Sequence, residues 1–133
     1  MAAIHLEIVT PDRLFFNEDI DSIIVRGIEG DLAILKGRTP IVTPLKIGKI
    51  RIFQNGTERV ASVTEGYVTA IEDNITIVTD AAEWPEEIDI NRAERAKKRA
   101  EERLSGKSDM DLYRAEIALK RSINRLETSK YKK

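Results

Sequence analysis

The sequence predicts an α+β chain in two parts, an N-terminal antiparallel β-sandwich or flattened barrel over residues 1–84 and a C-terminal antiparallel two-helix hairpin over residues 85–133. Three observations lead there. Apolar and polar residues alternate in short runs up to about residue 80, turn signals cut those runs, and beyond Trp84-Pro85 the apolar spacing changes from two to three and four.

The first run is Ile4, Leu6 and Ile8 alternating with His5 and Glu7, and Thr10-Pro11-Asp12 ends it. Further strands are expected at Ile20 to Arg26, Leu32 to Leu35, Ile47 to Phe53, Val60 to Val63, Tyr67 to Ile71 and Ile75 to Val78. Between them stand Glu29-Gly30-Asp31, Gln54-Asn55-Gly56, Thr64-Glu65-Gly66 and Asp73-Asn74, of which Asn55-Gly56 is the strongest hairpin signal because both residues tolerate positive φ. Many short strands with no helix between them point to an all-β domain.

Proline at position 85 restricts its neighbour, and Asp89 can cap a helix that runs to about Leu104. A break follows at Ser105-Gly106-Lys107-Ser108. Ser108 stands three residues before Asp111, a capping-box-like pair, and a second helix is expected to run to about Glu127 with Leu112, Ala115, Leu119, Ser122 and Leu126 on one stripe. So short a connection makes the helices an antiparallel hairpin. The basic run Lys130-Tyr131-Lys132-Lys133 is expected to fray.

Composition narrows the function. The chain has 133 residues, 41% hydrophobic and 34% charged, enough for one domain or a small domain with an appendage. A formal net charge of -1 excludes a polycation, so nucleic acid is not an expected partner. The absence of cysteine excludes disulfides, thiolate nucleophiles and sulfur-bound zinc, and a single histidine argues against a histidine metal site or dyad. No apolar run reaches the length of a membrane span, and Met1-Ala2-Ala3-Ile4-His5 lacks the layout of a signal peptide, so a soluble intracellular protein without membrane insertion is expected.

The inward stripe of the first helix is Ala93, Ala96, Ala100 and Leu104, mostly single methyl groups worth about 0.8 kcal/mol each, so the hairpin is expected to be marginal without a docking surface, a partner or a ligand. Arginines recur on it at Arg92, Arg95, Arg99 and Arg103, and on the second helix at Arg114, Arg121 and Arg125. With Glu94, Glu101, Glu102 and Glu116 interspersed they read as a solvated charged face, and the alternative is that several guanidinium groups converge on phosphate oxygens. No glycine-rich phosphate loop is present, which favours a nucleotide sensor over an NTPase.

Over essentially its whole length the chain resembles the epsilon subunit of bacterial F-type ATP synthase, of the type with an ATP-binding helical hairpin. The resemblance lies in Gly30-Asp31-Leu32-Ala33-Ile34-Leu35-Lys36-Gly37-Arg38-Thr39-Pro40, in Glu65-Gly66-Tyr67 where the family usually has a glycine pair, and in Ile88-Asp89-x-x-Arg92-Ala93, which is similar to the family's nucleotide motif. Ala33, Lys36 and Arg38 depart from the usual glycine, proline and histidine. The resemblance implies a non-catalytic central-stalk subunit, peripheral on the cytoplasmic side of the bacterial cell membrane. Its β-sandwich would join the gamma subunit to the c-subunit ring of a proton- or sodium-translocating synthase. Its hairpin would either fold up and bind ATP as a regulatory ligand, with or without magnesium, or extend to the catalytic alpha/beta head and inhibit ATP hydrolysis. The implied nucleotide contacts are Glu83, Ile88, Asp89, Arg92, Ala93, Arg99, Arg114, Arg121 and Arg125, and the implied rotor-ring contact is the loop carrying Asp31 and Arg38. Adenine would pack against Ile88 and Ala93, Asp89 or Glu83 would accept from its amino group, and the arginines would hold the phosphates.

One alternative keeps the stalk subunit and makes the hairpin a protein-binding inhibitory clamp that does not sense ATP. Another, an enzyme using Glu83, Glu86 and Glu87 as acid and base, lacks the apolar enclosure that tunes carboxylates. His5 is read as a surface or packed histidine on a strand edge, Trp84-Pro85 as a linker, and Met110, Phe15, Phe16 and Phe53 as packing residues.

Overall fold

A computed structural model describes residues 4–37, 40–106 and 109–132. Ten strands come first: β1 Ile4–Val9, β2 Leu14–Ile20, β3 Ser22–Gly27, β4 Gly30–Ile34, β5 Ile41–Leu45, β6 Gly48–Gln54, β7 Thr57–Val63, β8 Gly66–Ile71, β9 Asn74–Thr79 and β10 Ala82–Glu83. A 3₁₀ turn, Pro85–Glu87, leads into α1 Ile90–Leu104 and α2 Asp109–Ser129. The chain divides into two compact units between Glu83 and Trp84.

The strands form one sheet in the order β10-β7-β6-β3-β5-β8-β9-β1-β2, with β4 paired to β3. Its ends approach each other, where Arg13, just before β2, donates from Nη2 to the Ala82 carbonyl of β10 at 3.1 Å and the Arg59 guanidinium of β7 lies 5.7 Å from the ring centre of Phe16 on β2. The β-sandwich or flattened barrel expected from the alternation is thus present, with one difference in pairing. β1 runs parallel to β9, whereas the other pairs are antiparallel. The alternation read in the first run is present, with Ile4, Leu6 and Ile8 of β1 buried, and Ile23 and Val25 of β3, Ile50 and Ile52 of β6 and Ile75 and Ile77 of β9 are buried at the same spacing of two.

Asn55 (φ 52°) and Gly56 (φ 75°) make the β6–β7 turn, as the dipeptide predicts. Gly66 is required for a different reason, since a Cβ there would collide with the Val78 carbonyl oxygen of β9. Next to it the Thr79 hydroxyl donates to the Thr64 and Glu65 carbonyls at 3.0 and 3.1 Å.

Three strands escape the sequence reading, β2, β5 and the two-residue β10. In β2 the buried side chains are the adjacent Phe15 and Phe16 and then Ile20, because the β1–β2 register shifts at Ile8/Val9 and breaks the alternation. In β5 the apolar Val42 is 74% exposed, and Pro44 is a residue that ordinarily argues against a strand. His5 is not at an edge either, since β1 lies between β2 and β9.

In the second unit the two helices pack along a seam of small residues, Ala93 and Ala100 on α1 and Ala115 and Ser122 on α2. The Ser122, Thr128 and Ser129 hydroxyls donate to their own helix's carbonyls, of Leu119, Asn124 and Leu126, at 2.9, 2.8 and 2.6 Å, so these three buried hydroxyls are satisfied within the helix. Ala96 and Leu104 are only half-buried, which leaves the seam thinner than the expected stripe. The capping pair anticipated at Ser108 and Asp111 lies outside the described residues and side chains. Among the described residues no helix is long and apolar enough to cross a membrane.

Candidate functional site

The lead-in to α1 is fixed by three local devices. Trp84 N donates to Glu87 Oε1 at 2.9 Å while Glu87 N returns to the Trp84 carbonyl at 3.0 Å, which closes the 3₁₀ turn. Ile88, buried to 3% exposure, donates its N–H to the Pro85 carbonyl at 3.2 Å. Asp89 is extended (φ −82°, ψ 100°) and accepts from Arg92 N at 3.0 Å through Oδ1, the expected N-cap.

The hairpin is closed, and its register can be read. Lys132 Nζ donates to the Ile88 carbonyl at 3.1 Å, and a groove of about 450 Å³ is lined by Ile90, Glu94 and Lys97 of α1 and by Ile123, Leu126 and Glu127 of α2. The start of α1 therefore lies beside the end of α2, with Arg92 near the level of Thr128 and Arg99 near that of Arg121. The tail expected to fray instead continues in tight turns, Lys130 N, Tyr131 N and Lys132 N donating to the carbonyls of Glu127, Thr128 and Ser129.

At about 100° per residue from the Ala93–Ala100 seam, Ile90, Glu94 and Lys97 fall on one flank of α1 and Arg92, Arg99 and Arg103 on the other. On α2 the seam residues Ala115 and Ser122 separate Ile123 and Leu126 from Arg114, Arg121 and Arg125 in the same way. The shared groove marks the first flank of each helix as one side of the hairpin, so both arginine rows lie on the opposite side. Glu94, Glu101, Glu116 and Glu127 fall towards the groove side. The arginines gather on one side, while the groove side carries Glu94 and Glu127 together with Lys97 and Lys130.

The expected site residues divide accordingly. Arg92 and Arg99 are exposed, Arg121 and Arg125 are half-buried, and all four occupy one end of the closed hairpin. The same register places Arg114 about 10 Å beyond Arg99 towards the connecting loop, at 1.5 Å of rise per residue. Ala93, in the helix seam, is 0% exposed and Ile88, just before the N-cap, is 3% exposed. Glu83 belongs to the sheet unit, where β10 pairs it with Ser62.

The second expected surface is in the β domain. Arg26 Nε donates to Asp31 Oδ1 at 2.7 Å across the β3–β4 hairpin, beside a groove of about 610 Å³ lined by Gly27 to Leu32 with Ile41 and Thr43. Ile28 is exposed there, at 54%. Arg38 lies outside the described residues. Sequence reasoning missed Arg26 and Lys132, whose roles come from cross-strand and cross-helix register.

A β-sandwich joined to a two-helix hairpin is the architecture of the rotary ATP synthase delta/epsilon class, and the comparisons agree. The family described as the ATP synthase delta/epsilon chain matches with its beta-sandwich domain over residues 3–85 and with its long alpha-helix domain over residues 86–130. The ATP synthase epsilon chain of Caldicellulosiruptor saccharolyticus is 45% identical over 127 residues, covering 95% of this chain and 93% of that one. That of Bacillus velezensis is 45% identical over 130 residues, covering 97% and 98%. The chain belongs to the ATP synthase epsilon chain family. A chain in the cryo-EM structure of the Euglena gracilis mitochondrial ATP synthase (OSCP/F1/c-ring) shares the fold with a TM-score of 0.86 at 23% identity, over 98% of this chain and 83% of that one.

Proposed function

We propose that this protein is the non-catalytic epsilon subunit of the central stalk of an F-type ATP synthase and that its hairpin senses ATP. The β domain joins the gamma subunit to the c-subunit ring, and the Asp31 surface, with exposed Ile28 beside an Arg26–Asp31 ion pair, meets the ring. Arg38 is assigned to the same contact on the family resemblance. The subunit is peripheral on the cytoplasmic side of the bacterial cell membrane. Released from the folded form, the hairpin reaches the catalytic alpha/beta head and inhibits hydrolysis.

The observation that carries the ATP reading is the pair of arginine rows on the same side of the closed hairpin. Arg92, Arg99, Arg121 and Arg125 gather on one side of one end, the geometry a polyphosphate needs, and guanidinium groups bind phosphate oxygens bidentately. Asp89 caps α1 with Oδ1, which leaves Oδ2 to accept from an adenine amino group. Ile88 and Ala93 act by seating the helix start. ATP, alone or with magnesium, completes its site only when α1 and α2 lie together, so binding favours the closed hairpin by as much as its affinity for the closed form exceeds that for the open one.

Calorimetric titration with ATP tests this directly. Arg92→Ala and Arg125→Ala are expected to weaken binding at least tenfold, the order expected for loss of a charge-assisted hydrogen bond. Arg114→Ala, set apart along the hairpin, is expected to have the smaller effect. Unchanged affinity in both Arg92→Ala and Arg125→Ala would refute the phosphate site. Absence of binding by the wild type at millimolar ATP would leave the hairpin as a protein-binding clamp.

A further inference from the structure

The helix start contains a carbonyl that the helix itself does not serve. In a continuing α-helix the acceptor at position 88 would receive the amide four residues on, that of Arg92. Here Arg92 N goes to Asp89 Oδ1 at 3.0 Å, and Ala93 N goes to the Asp89 carbonyl at 3.0 Å. The N-cap that starts α1 therefore strands the carbonyl of Ile88, a residue only 3% exposed. A stranded carbonyl at a buried position needs a donor from elsewhere. Lys132 supplies it: its Nζ lies 3.1 Å from the Ile88 oxygen, 44 positions away in sequence.

The donor is itself held in place. Successive bonds from Lys130 N, Tyr131 N and Lys132 N back to Glu127, Thr128 and Ser129 carry the chain past the end of α2 in tight turns and direct Lys132 at the lead-in. The contact joins the entry of α1 to the exit of α2, so it exists only when the helices lie side by side.

We propose that Lys132 is a positioning residue that latches the hairpin shut and, in doing so, fixes the Ile88–Asp89 turn. The latch is a property of the ligand-free hairpin. Its consequence for ATP rests on the function proposed above: the turn that presents Asp89 is completed by a residue from the other end of the hairpin, so the site is assembled only in the closed state. Loss of the ammonium leaves the Ile88 carbonyl without this donor and raises the fraction of open hairpin.

The test uses the full chain with isotope labelling. Lys132→Met is expected to move the Ile88 carbonyl ¹³C resonance upfield and to speed amide exchange in the first turns of α1 by about three- to tenfold, the range set by the net worth of one hydrogen bond. Exchange in the core strands should not change. Lys132→Arg, which keeps a cation and its donors, should restore both signals, and Lys130→Gln, which removes a neighbouring charge, should leave them as in the wild type. An unmoved Ile88 resonance in Lys132→Met, or the same change in Lys130→Gln, overturns the latch. Where the wild type binds ATP, Lys132→Met should weaken binding in proportion to the fall in the closed fraction, which is smaller than the factor seen in exchange as long as the closed hairpin predominates. A wild type that does not bind ATP while the exchange effect persists removes the ATP reading and leaves the latch standing.

Discussion

Asp89 is the residue at which folding and ligand binding can be separated most cleanly. Its carboxylate accepts from Arg92 N at 3.0 Å, and it stands at the positive end of the α1 dipole. Asp89→Ala removes the cap and is expected to cost about 1 kcal/mol of helix stability, which is about a fivefold increase in opening of the first turn. Asp89→Asn keeps a side-chain oxygen that caps as well and loses only the charge at the dipole, about 0.3 kcal/mol at an exposed site in salt, less than a twofold change. Amide exchange of Arg92 and Ala93, measured without ligand, reads the two variants directly. ATP titration of the same proteins then isolates the ligand role, since Asp89→Asn replaces one carboxylate oxygen by an amide donor and should weaken ATP by much more than twofold. Equal exchange in Asp89→Ala and Asp89→Asn would refute the capping argument. Equal ATP affinity in the wild type and Asp89→Asn would remove Asp89 from the ligand site.

Gly66→Ala should destabilise the β domain by at least about 1–3 kcal/mol, the usual cost of overpacking, because the added methyl meets the rigid Val78 backbone; a melting temperature within error of wild type would contradict the close β8–β9 approach. His5 gives the β domain a pH dependence of defined sign. Its imidazole bonds the Asp19 carboxylate at 2.8 Å and the Asn17 side chain, and these partners raise its pKa above the ordinary histidine value, the Asp19 bond being the larger cause. A raised folded-state pKa means that the stabilisation is fully present below about pH 6.5 and is lost as pH rises through the raised value, so the wild-type melting temperature should fall over that window by more than that of His5→Gln. Parallel curves for the two proteins would exclude the His5 contribution. Added salt should weaken ATP binding while slowing amide exchange in the ligand-free hairpin, because both arginine attraction for phosphate and arginine–arginine repulsion are screened; the same sign for both effects would contradict the clustered-arginine geometry.

Much of this was legible in the sequence where local rules and tertiary demands agree. The period-two run Ile4 to Ile8 identifies the inward face of β1, Asn55-Gly56 makes the turn it advertises, and Asp89 caps the helix it precedes. The failures fall where register decides. β2 carries a register shift that puts Phe15 and Phe16 both inside, and β5 exposes Val42 and carries Pro44, so neither alternates as a half-buried strand should. The parallel β1–β9 pair joins strands far apart in the chain and leaves no local trace. In the hairpin the sequence shows arginines at helical spacing but mixes them with glutamates, and only the cross-helix register brings the arginines of both helices to one side. Lys132 falls in a stretch whose composition reads as a frayed tail, and its partner carbonyl is defined by a cap 43 positions before it, at Asp89.

If the hairpin acts as proposed, the seam and the charge pattern together account for the switch. Ala93, Ala100, Ala115 and Ser122 let the helices approach closely but bury little apolar area, so closure gains only about 0.8 kcal/mol per methyl against a backbone ordering cost of about 1 kcal/mol or more per residue. Closure also brings like charges together, each pair about 10 Å apart opposing it by about 0.4 kcal/mol in water before screening. A larger seam would lock the hairpin shut and make a ligand irrelevant. An anion on the arginine side reverses the sign of that electrostatic term, and at about 100 times its dissociation constant it adds roughly 2.7 kcal/mol to the closed state. That exceeds the contribution of any single seam contact, so under the proposed function the thin packing keeps the balance close and the arginine cluster lets a polyphosphate decide it.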